Sequence, residues 1–182
     1  MEKLKEIIST YEDFPKKGIL FRDILTISQN PLLFNELVLK MASSQIIKNA
    51  DAIISIDARG FIFGSAISFK ASKPLLFARK SGKLPGELVE KKYSLEYGEN
   101  SLSIQKNSLN NFNSYAIVDD LLATGGTVNC VADILRLQKK IIEGLIVVVE
   151  LNDMNARSRF DFPIAVPYTH LTLPTTPVVV RW

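Results

Sequence analysis

Residues 116 to 127 read Ala-Ile-Val-Asp-Asp-Leu-Leu-Ala-Thr-Gly-Gly-Thr, and this stretch decides the fold. An apolar run typical of a buried strand leads into two adjacent carboxylates, a Thr-Gly-Gly-Thr turn and then a helical pattern. Glycines let backbone N–H groups approach an anion closely, threonines add hydroxyl donors, and a helix N-terminus favours negative charge. The stretch therefore predicts a phosphate-binding turn between a strand and a helix.

The two carboxylates, Asp119 and Asp120, stand at the predicted carboxyl end of the strand. Open α/β sheets bind their ligands at this end, and carboxylates there can accept hydrogen bonds from sugar hydroxyls. The alternative interpretation is a glycine-rich turn with a capping aspartate, which a Gly-Gly pair without the rest of the string would favour. Neither the P-loop pattern nor the dinucleotide-binding glycine pattern occurs in the chain, which argues against those two enzyme classes.

The chain around this stretch alternates between strand and helix patterns. Short apolar runs predict strands at 52–56, 75–78, 115–118 and 145–149, and helical spacing predicts helices at 4–11, 31–48, 61–70 and 127–139. Alternating strands and helices predict an α/β domain with a mostly parallel central sheet and right-handed crossovers. Residues 80–100 are polar and lack periodicity, so we expect a long loop, and loops of that length are often functional.

Length and composition limit the classes of protein that the chain can be. Its 182 residues suit one domain, and 47% hydrophobic with 23% charged residues is typical of a soluble globular protein. No apolar run approaches the ~20 residues of a membrane helix, and the charged N-terminus lacks the pattern of a secretory signal. We therefore expect a cytoplasmic protein without a membrane partner.

Three further counts narrow the chemistry. Cys130 is the only cysteine, so the chain can form neither an intrachain disulfide nor a cysteine-based zinc site. His170 is the only histidine, which removes most serine-histidine and histidine-metal arrangements. The net charge of +3 is too small to argue for a nucleic-acid partner. The chemistry is expected to depend on carboxylates, cations and backbone donors.

The aspartate-rich stretch resembles the phosphoribosyl pyrophosphate (PRPP) motif of type I phosphoribosyltransferases, in the form that adenine-specific members carry. Three other segments agree with this resemblance, in the family's order. Residues 13–24, Asp-Phe-Pro-Lys-Lys-Gly-Ile-Leu-Phe-Arg-Asp-Ile, resemble the base-binding segment, and 57–64, Asp-Ala-Arg-Gly-Phe-Ile-Phe-Gly, resemble the pyrophosphate loop. Residues 79–86 together with 93–98 resemble the mobile catalytic loop.

The resemblance implies a role for each matching residue. Phe21 would stack on the base while backbone groups of Leu20 and Arg22 read its edge. Glu96 and Tyr97, with Arg59, would act in catalysis. The residues implied to contact PRPP are Arg59, Arg79, Lys80, Lys83, Asp119, Asp120, Ala123, Thr124, Gly125, Gly126 and Thr127.

The resemblance also implies the reaction and the architecture. Adenine and PRPP would give AMP and pyrophosphate, with Mg²⁺ carried by PRPP and not ligated directly by side chains. The expected fold is the type I phosphoribosyltransferase α/β fold in one domain, residues 1–167, with a base-binding hood at about 1–30 and a mobile catalytic loop. The family is also typically homodimeric, so a second copy is the expected protein partner.

The chain departs from the family pattern at three places. Lys17 replaces a usual proline, Ala58 stands where some members have serine, and residues 168–182 do not match the family's ending, so we interpret them as a possible foreign tail. Two alternatives stay open at this point. One is a phosphoribosyltransferase for hypoxanthine, guanine or xanthine, and the other is a non-catalytic regulator that senses PRPP and binds nucleic acid.

Overall fold

The computed structural model describes residues 8–14, 17, 21–95, 98–151 and 154–167. Within these residues seven strands form one sheet in the order β5-β6-β4-β3-β7-β8-β9. Strands β3, β4, β7, β8 and β9 are parallel, and β6 runs antiparallel to β4 and to β5. The predicted mostly parallel α/β sheet is confirmed. The strands are β3 (Ala52–Ile56), β4 (Leu75–Lys80), β5 (Leu88–Leu95), β6 (Gly98–Gln105), β7 (Ser114–Leu122), β8 (Ile141–Glu150) and β9 (Ile164–Ala165).

Helices cover both faces of this sheet because its central strands are apolar on both sides. On β7, Ala116 and Val118 pack into one core cluster while Tyr115 and Ile117 pack into the other, as the two-residue period of a strand requires. The first cluster includes residues of α1, α2 and α3, and the second includes residues of α5 and the β5–β6 hairpin. The helices are α1 (Pro31–Ala42), α2 (Gln45–Asn49), α3 (Gly60–Ala71), α4 (Lys106–Asn110) and α5 (Gly126–Leu137).

The predicted helix at 31–48 is interrupted. Its start is as expected, since the Asn30 side chain accepts a hydrogen bond from the Leu33 amide at 3.2 Å and Pro31 opens α1. The helix ends at Ala42, and Ser44 caps the separate helix α2 by accepting a hydrogen bond from the Ile47 amide. Serine competes for backbone donors and so favours a cap over a helix interior, which explains the break.

The predicted N-terminal helix at 4–11 is wrong in the part that the structure describes. Ser9–Tyr11 forms strand β1, which pairs antiparallel with β2 (Phe21–Asp23) as a separate two-stranded sheet. Thr10 and Tyr11 are β-branched and aromatic, and they suit a strand once a partner strand is available. Residues 1–7 lie outside the described residues.

The predicted long loop at 80–100 is also wrong, because most of it is a hairpin. Strands β5 and β6 pair over their full length, from Leu88 opposite Gln105 to Leu95 opposite Gly98. Only two residue pairs join β6 to β4, whereas β5 packs on helix α5 through Val89 and Tyr93. The hairpin is therefore held by α5 and extends toward the N-terminal end of that helix.

No helix among the described residues is long and apolar enough to cross a membrane.

Candidate active site

The carboxylate pair lies at the end of β7, in the middle of the sheet. Asp119 and Asp120 are 7% and 4% exposed, and the Asp120 amide donates a hydrogen bond to Asp119 Oδ1 at 2.9 Å. Strand β7 continues to Leu122, so the pair belongs to the strand and does not follow it. Burial of two adjacent carboxyl groups destabilises the folded state, and such groups are typical of functional sites.

The pKa values of both carboxyls are displaced upward. Burial raises the pKa of Asp119 well above 3.8, and the charge of Asp120 raises it further. Burial also raises the pKa of Asp120, which the Arg59 guanidinium opposes. A bound ligand that donates hydrogen bonds or brings a positive charge would favour the ionised forms, so the pair is suited to hydroxyl donors and cations.

Arg59, in the loop that follows the neighbouring strand β3, forms an ion pair with Asp120. Strand β3 ends at Ile56, the Asp57–Ala58 peptide bond is cis, and α3 begins at Gly60. Arg59 Nε lies 2.7 Å from Asp120 Oδ2. A Cβ atom on Gly60 would come within 2.9 Å of Asp119 Oδ1 and 3.2 Å of the Val118 carbonyl oxygen. The glycine is thus required for the close approach of α3 to the carboxylates.

The phosphate-binding turn has the predicted strand–turn–helix geometry. Gly125 has φ of +81° and precedes α5, which begins at Gly126. A side chain at Gly125 would also collide with the ring of Phe160, whose Cζ would lie 2.9 Å from an added Cβ. Thr124 is exposed and Thr127 is partly exposed, so their hydroxyls can reach a ligand at the N-terminus of α5.

Arg79, Lys80 and Lys83, the cations predicted on β4 and after it, lie farther from the carboxylate pair than Arg59 does. Arg79 Nε lies 3.2 Å from Asp57 Oδ2, and its Nη1 donates a hydrogen bond to the Lys83 carbonyl oxygen at 3.2 Å. Its guanidinium also lies 5.7 Å from the centre of the Phe61 ring. Strand β4 is two positions from β7, roughly 10 Å at the usual strand spacing. Lys80 and Lys83 are exposed.

The small sheet of β1 and β2 carries the predicted base-binding residue. The Phe21 ring lies edge-on to Phe14 at 5.0 Å and 6.5 Å from Tyr11, so it belongs to an aromatic cluster. Phe14 and Tyr11 are about half exposed, at 50% and 52%. The backbone of Arg22 pairs with Thr10, whereas Leu20 and the side chain of Arg22 lie outside the described residues.

The hairpin brings residues to the turn that sequence reasoning missed. A cleft of about 320 Å³ runs beside the phosphate-binding turn and along α5. Tyr93 stands against the turn, with Cδ2 3.6 Å from the position of a Cβ on Gly126. Its hairpin leads to Glu96 and Tyr97, which lie outside the described residues. The residues lining the cleft are Lys92, Tyr93, Gly125, Gly126, Asn129, Cys130, Asp133 and Arg159.

Two of these side chains could not have been found from the motifs. Arg159 follows β8 and donates from Nη1 to the Thr124 carbonyl oxygen at 3.1 Å, across 35 residues of sequence. Lys92 lies on β5, within a segment that was predicted as a loop. Among the described residues, no group of three or more histidine, cysteine, aspartate or glutamate side chains could hold a metal ion.

Comparison with known proteins gives one consistent result. The family described as phosphoribosyl transferase domain matches residues 26–162. A protein of Prochlorococcus marinus subsp. pastoris named adenine phosphoribosyltransferase is 70% identical over 164 residues, which cover 90% of this chain and 96% of that protein. A protein of the same name from Mycoplasmopsis pulmonis is 42% identical over 86% of this chain and 91% of its own.

Solved structures of similar fold carry the same name. The adenine phosphoribosyltransferase of Saccharomyces cerevisiae, complexed with an imino-altritol bisphosphate and adenine, superposes with a TM-score of 0.83 at 32% identity. It covers 92% of this chain and 97% of its own. The enzyme from Thermoanaerobacter pseudethanolicus gives a TM-score of 0.82 at 34% identity, with coverages of 91% and 97%.

Proposed function

The chain belongs to the phosphoribosyl transferase family, and from that premise we propose that it is an adenine phosphoribosyltransferase. It joins adenine to the ribose 5-phosphate of PRPP and releases pyrophosphate, a reaction of purine salvage. One observation carries the assignment to this site. The buried carboxylates Asp119 and Asp120, the second of which pairs with Arg59, lie at the strand end that leads into the glycine turn at the N-terminus of α5.

The turn and the carboxylates would bind different parts of PRPP. Backbone N–H groups of Gly125 to Thr127, with the threonine hydroxyls, would hold the 5-phosphate at the positive end of α5. Asp119 and Asp120 would accept hydrogen bonds from the ribose hydroxyls just beside it. As the bond from C1′ to pyrophosphate breaks, positive charge grows on the ribose ring, and the two nearby carboxylates would stabilise it.

The leaving group is a polyanion and requires cations. Arg59 lies at the loop between β3 and α3, where its guanidinium could bond pyrophosphate and Asp120 together, and Arg79, Lys80 and Lys83 would add positive charge from β4 and the turn after it. Mg²⁺ would arrive with PRPP and would not be ligated directly by side chains, and the carboxylates Asp119 and Asp120 beside the turn would add negative charge that favours a cation there. The chemistry that Mg²⁺ would supply when it arrives with PRPP is neutralisation of negative charge on the leaving pyrophosphate.

The aromatic cluster on the small sheet would supply the base site. Phe21 would stack on adenine, and backbone groups of Leu20 and Arg22 would read its edge. Glu96 and Tyr97, between β5 and β6, would complete the site. Glu96 would act as a general acid or base toward the proton on the adenine ring. The hairpin would exclude water from the cationic ribose.

We also propose the wider setting of the enzyme. It would act in the cytoplasm as a homodimer, without a nucleic-acid or membrane partner. Support for a second copy comes from large apolar side chains that are exposed on neighbouring helices, Leu32 on α1 at 83% and Phe69 on α3 at 89%. Sedimentation equilibrium of the protein tests this, and a monomer at micromolar concentration would contradict it.

The deciding experiment measures pyrophosphate release from PRPP with adenine, guanine, hypoxanthine and xanthine as separate acceptors. Adenine should give the highest kcat/KM, because the residues at the base site resemble an adenine reader and the relatives carry that name. Comparable or faster turnover of guanine or hypoxanthine would assign the chain to another base. No turnover with any base would favour a PRPP-sensing regulator.

A further inference from the structure

Arg159 has an unusual place for a cation. It ends the short 3₁₀ helix Ala156–Arg159, and its guanidinium reaches back to bond the Thr124 carbonyl oxygen at 3.1 Å. It also lines the cleft beside Gly125 and Gly126, the two glycines of the phosphate-binding turn. The side chain is exposed, so its remaining N–H donors are accessible from that cleft.

Two nearby arginines are neutralised by carboxylates, whereas Arg159 has no such partner within the part of the chain that the structure describes. Arg157 makes two hydrogen bonds to Glu150, at 3.1 and 2.6 Å, and Arg136 pairs with Asp161. Among the described residues no ion pair includes Arg159. The acidic residue of the cleft, Asp133, faces Lys91 at 3.8 Å and Arg136 at 3.5 Å.

The location of Arg159 beside the N-terminus of α5 is electrostatically unfavourable unless an anion lies between them. The N-terminus of α5 carries the positive end of the helix dipole, and Arg159 adds a full positive charge to the same turn. Two positive groups in one place repel each other, and a phosphate between them would attract both. The neighbouring segment is fixed firmly enough to hold this arrangement, since Phe160 packs on Gly125 and the Arg157 guanidinium bonds both Glu150 and the Ile164 carbonyl oxygen.

We propose that Arg159 binds the 5-phosphate of PRPP and AMP, as a cation outside the phosphoribosyltransferase motif that completes the turn at 124–127. The proposal rests on the proposed function, because it names a further contact to the substrate of that site. The guanidinium of Arg159 would donate hydrogen bonds to phosphate oxygens, while the bond from Nη1 to the Thr124 carbonyl oxygen fixes its orientation.

The test compares four variants by titration with AMP, with adenine as the ligand that lacks a phosphate. Arg159→Met should weaken AMP binding about tenfold, as expected for one exposed charged hydrogen bond, and raise the KM for PRPP similarly, with adenine binding unchanged. Arg159→Lys should restore most of the affinity. Arg159→Gln, which keeps a donor for the Thr124 carbonyl but no charge, should resemble Arg159→Met. Arg136→Met removes the same charge from the C-terminal end of α5 and should leave AMP binding as it is.

Several results would overturn the proposal. Restoration by Arg159→Gln would make the residue a positioning group for the turn, and equal losses for AMP and adenine would make it merely structural. AMP binding should also depend less on salt in Arg159→Met than in the wild type, and an unchanged salt dependence would argue against a charge contact. Turnover of adenine by the wild type is measured first, so a failed proposed function is distinguished from a failed role for Arg159.

Discussion

Arg59 and Asp120 connect two neighbouring strand ends, with Nε 2.7 Å from Oδ2. The loop after β3 and the carboxylates of β7 therefore form one electrostatic unit, although 61 positions separate the two residues. The Arg59 guanidinium opposes the effect of burial on the pKa of the Asp120 carboxyl, so a ligand that drew Arg59 away would raise that pKa further. If pyrophosphate binds Arg59 and ribose binds the carboxylates, as proposed above, this contact would couple the two binding events.

Removal of both carboxylates should abolish most activity. Asp119→Asn with Asp120→Asn is expected to lower kcat/KM by at least ~100-fold, or ~2.7 kcal/mol, while the fold survives, because the proposed role of these groups is to bind the ligand and not to build the core. Steady-state kinetics and circular dichroism measure the two effects. Asp161→Asn, on the exposed surface, is the matched control. An active double variant would place the ribose elsewhere.

The single variant Asp119→Asn should be more stable than the wild type near neutral pH. Burial and the charge of Asp120 hold the folded-state pKa of Asp119 well above 3.8. The contribution of this carboxyl to stability is therefore complete below pH 3.8 and is lost as the pH rises through the folded-state pKa. Thermal unfolding should show a rise in Tm at about pH 7.5 that shrinks at about pH 4. An equal rise at both pH values would contradict the assigned cause.

Gly60→Ala should damage the site although it lies at a helix start. Alanine normally favours a helix by roughly 1 kcal/mol over glycine, but here its Cβ would come within 2.9 Å of Asp119 Oδ1 and displace that carboxylate. We expect kcat/KM to fall about tenfold or more, since small displacements of catalytic groups cost this much. Ser65→Ala, on the exposed face of the same helix, should be neutral. Full activity of Gly60→Ala would show that the carboxylate can move without loss.

Glu96→Gln should lower kcat more than it raises the KM for PRPP. If Glu96 enters the site only with the substrate bound, as proposed above, it would act mainly in the transition state, and its loss would affect the chemical step. Glu87→Gln, immediately before β5 and paired with Lys106 at 2.6 Å, is the control. A change confined to KM would reassign Glu96 to substrate binding.

The segment 168–182 should be dispensable if it is foreign to the domain. Truncation after Pro167 is expected to leave adenine turnover intact and to change the free energy of unfolding by less than ~2 kcal/mol. Chemical denaturation and the turnover assay measure these quantities. A larger loss of stability, or of most activity, would make the segment a structural element, with the apolar residues Val178 to Val180 and Trp182 buried against the domain or a second copy.

Part of the fold followed from local sequence because each element carries its own pattern. The order strand, turn and helix around residues 116–127 is confirmed, since the apolar run, the glycines and the helical spacing act over a few residues. The strand itself continues beyond the predicted end at 118 to Leu122, because Asp119 and Leu122 also take part in its pairing with β8. The β5–β6 hairpin was missed, because β5 mixes lysine and glutamate with its apolar residues. Its strand character depends on pairing with β6 and on packing against α5, and neither is visible in a short window of sequence.

The sequence by itself determined the α/β class, the glycine turn between β7 and α5, and the place of the carboxylates Asp119 and Asp120 just before it. Only the tertiary structure decided the contacts of Arg59 with Asp120 and of Arg159 with Thr124, and the burial that raises the pKa of Asp119. The physical reason is the separation along the chain over which each interaction acts. Backbone propensity and turn chemistry act between neighbours in the chain, whereas burial and charge depend on side chains that folding brings together from distant positions.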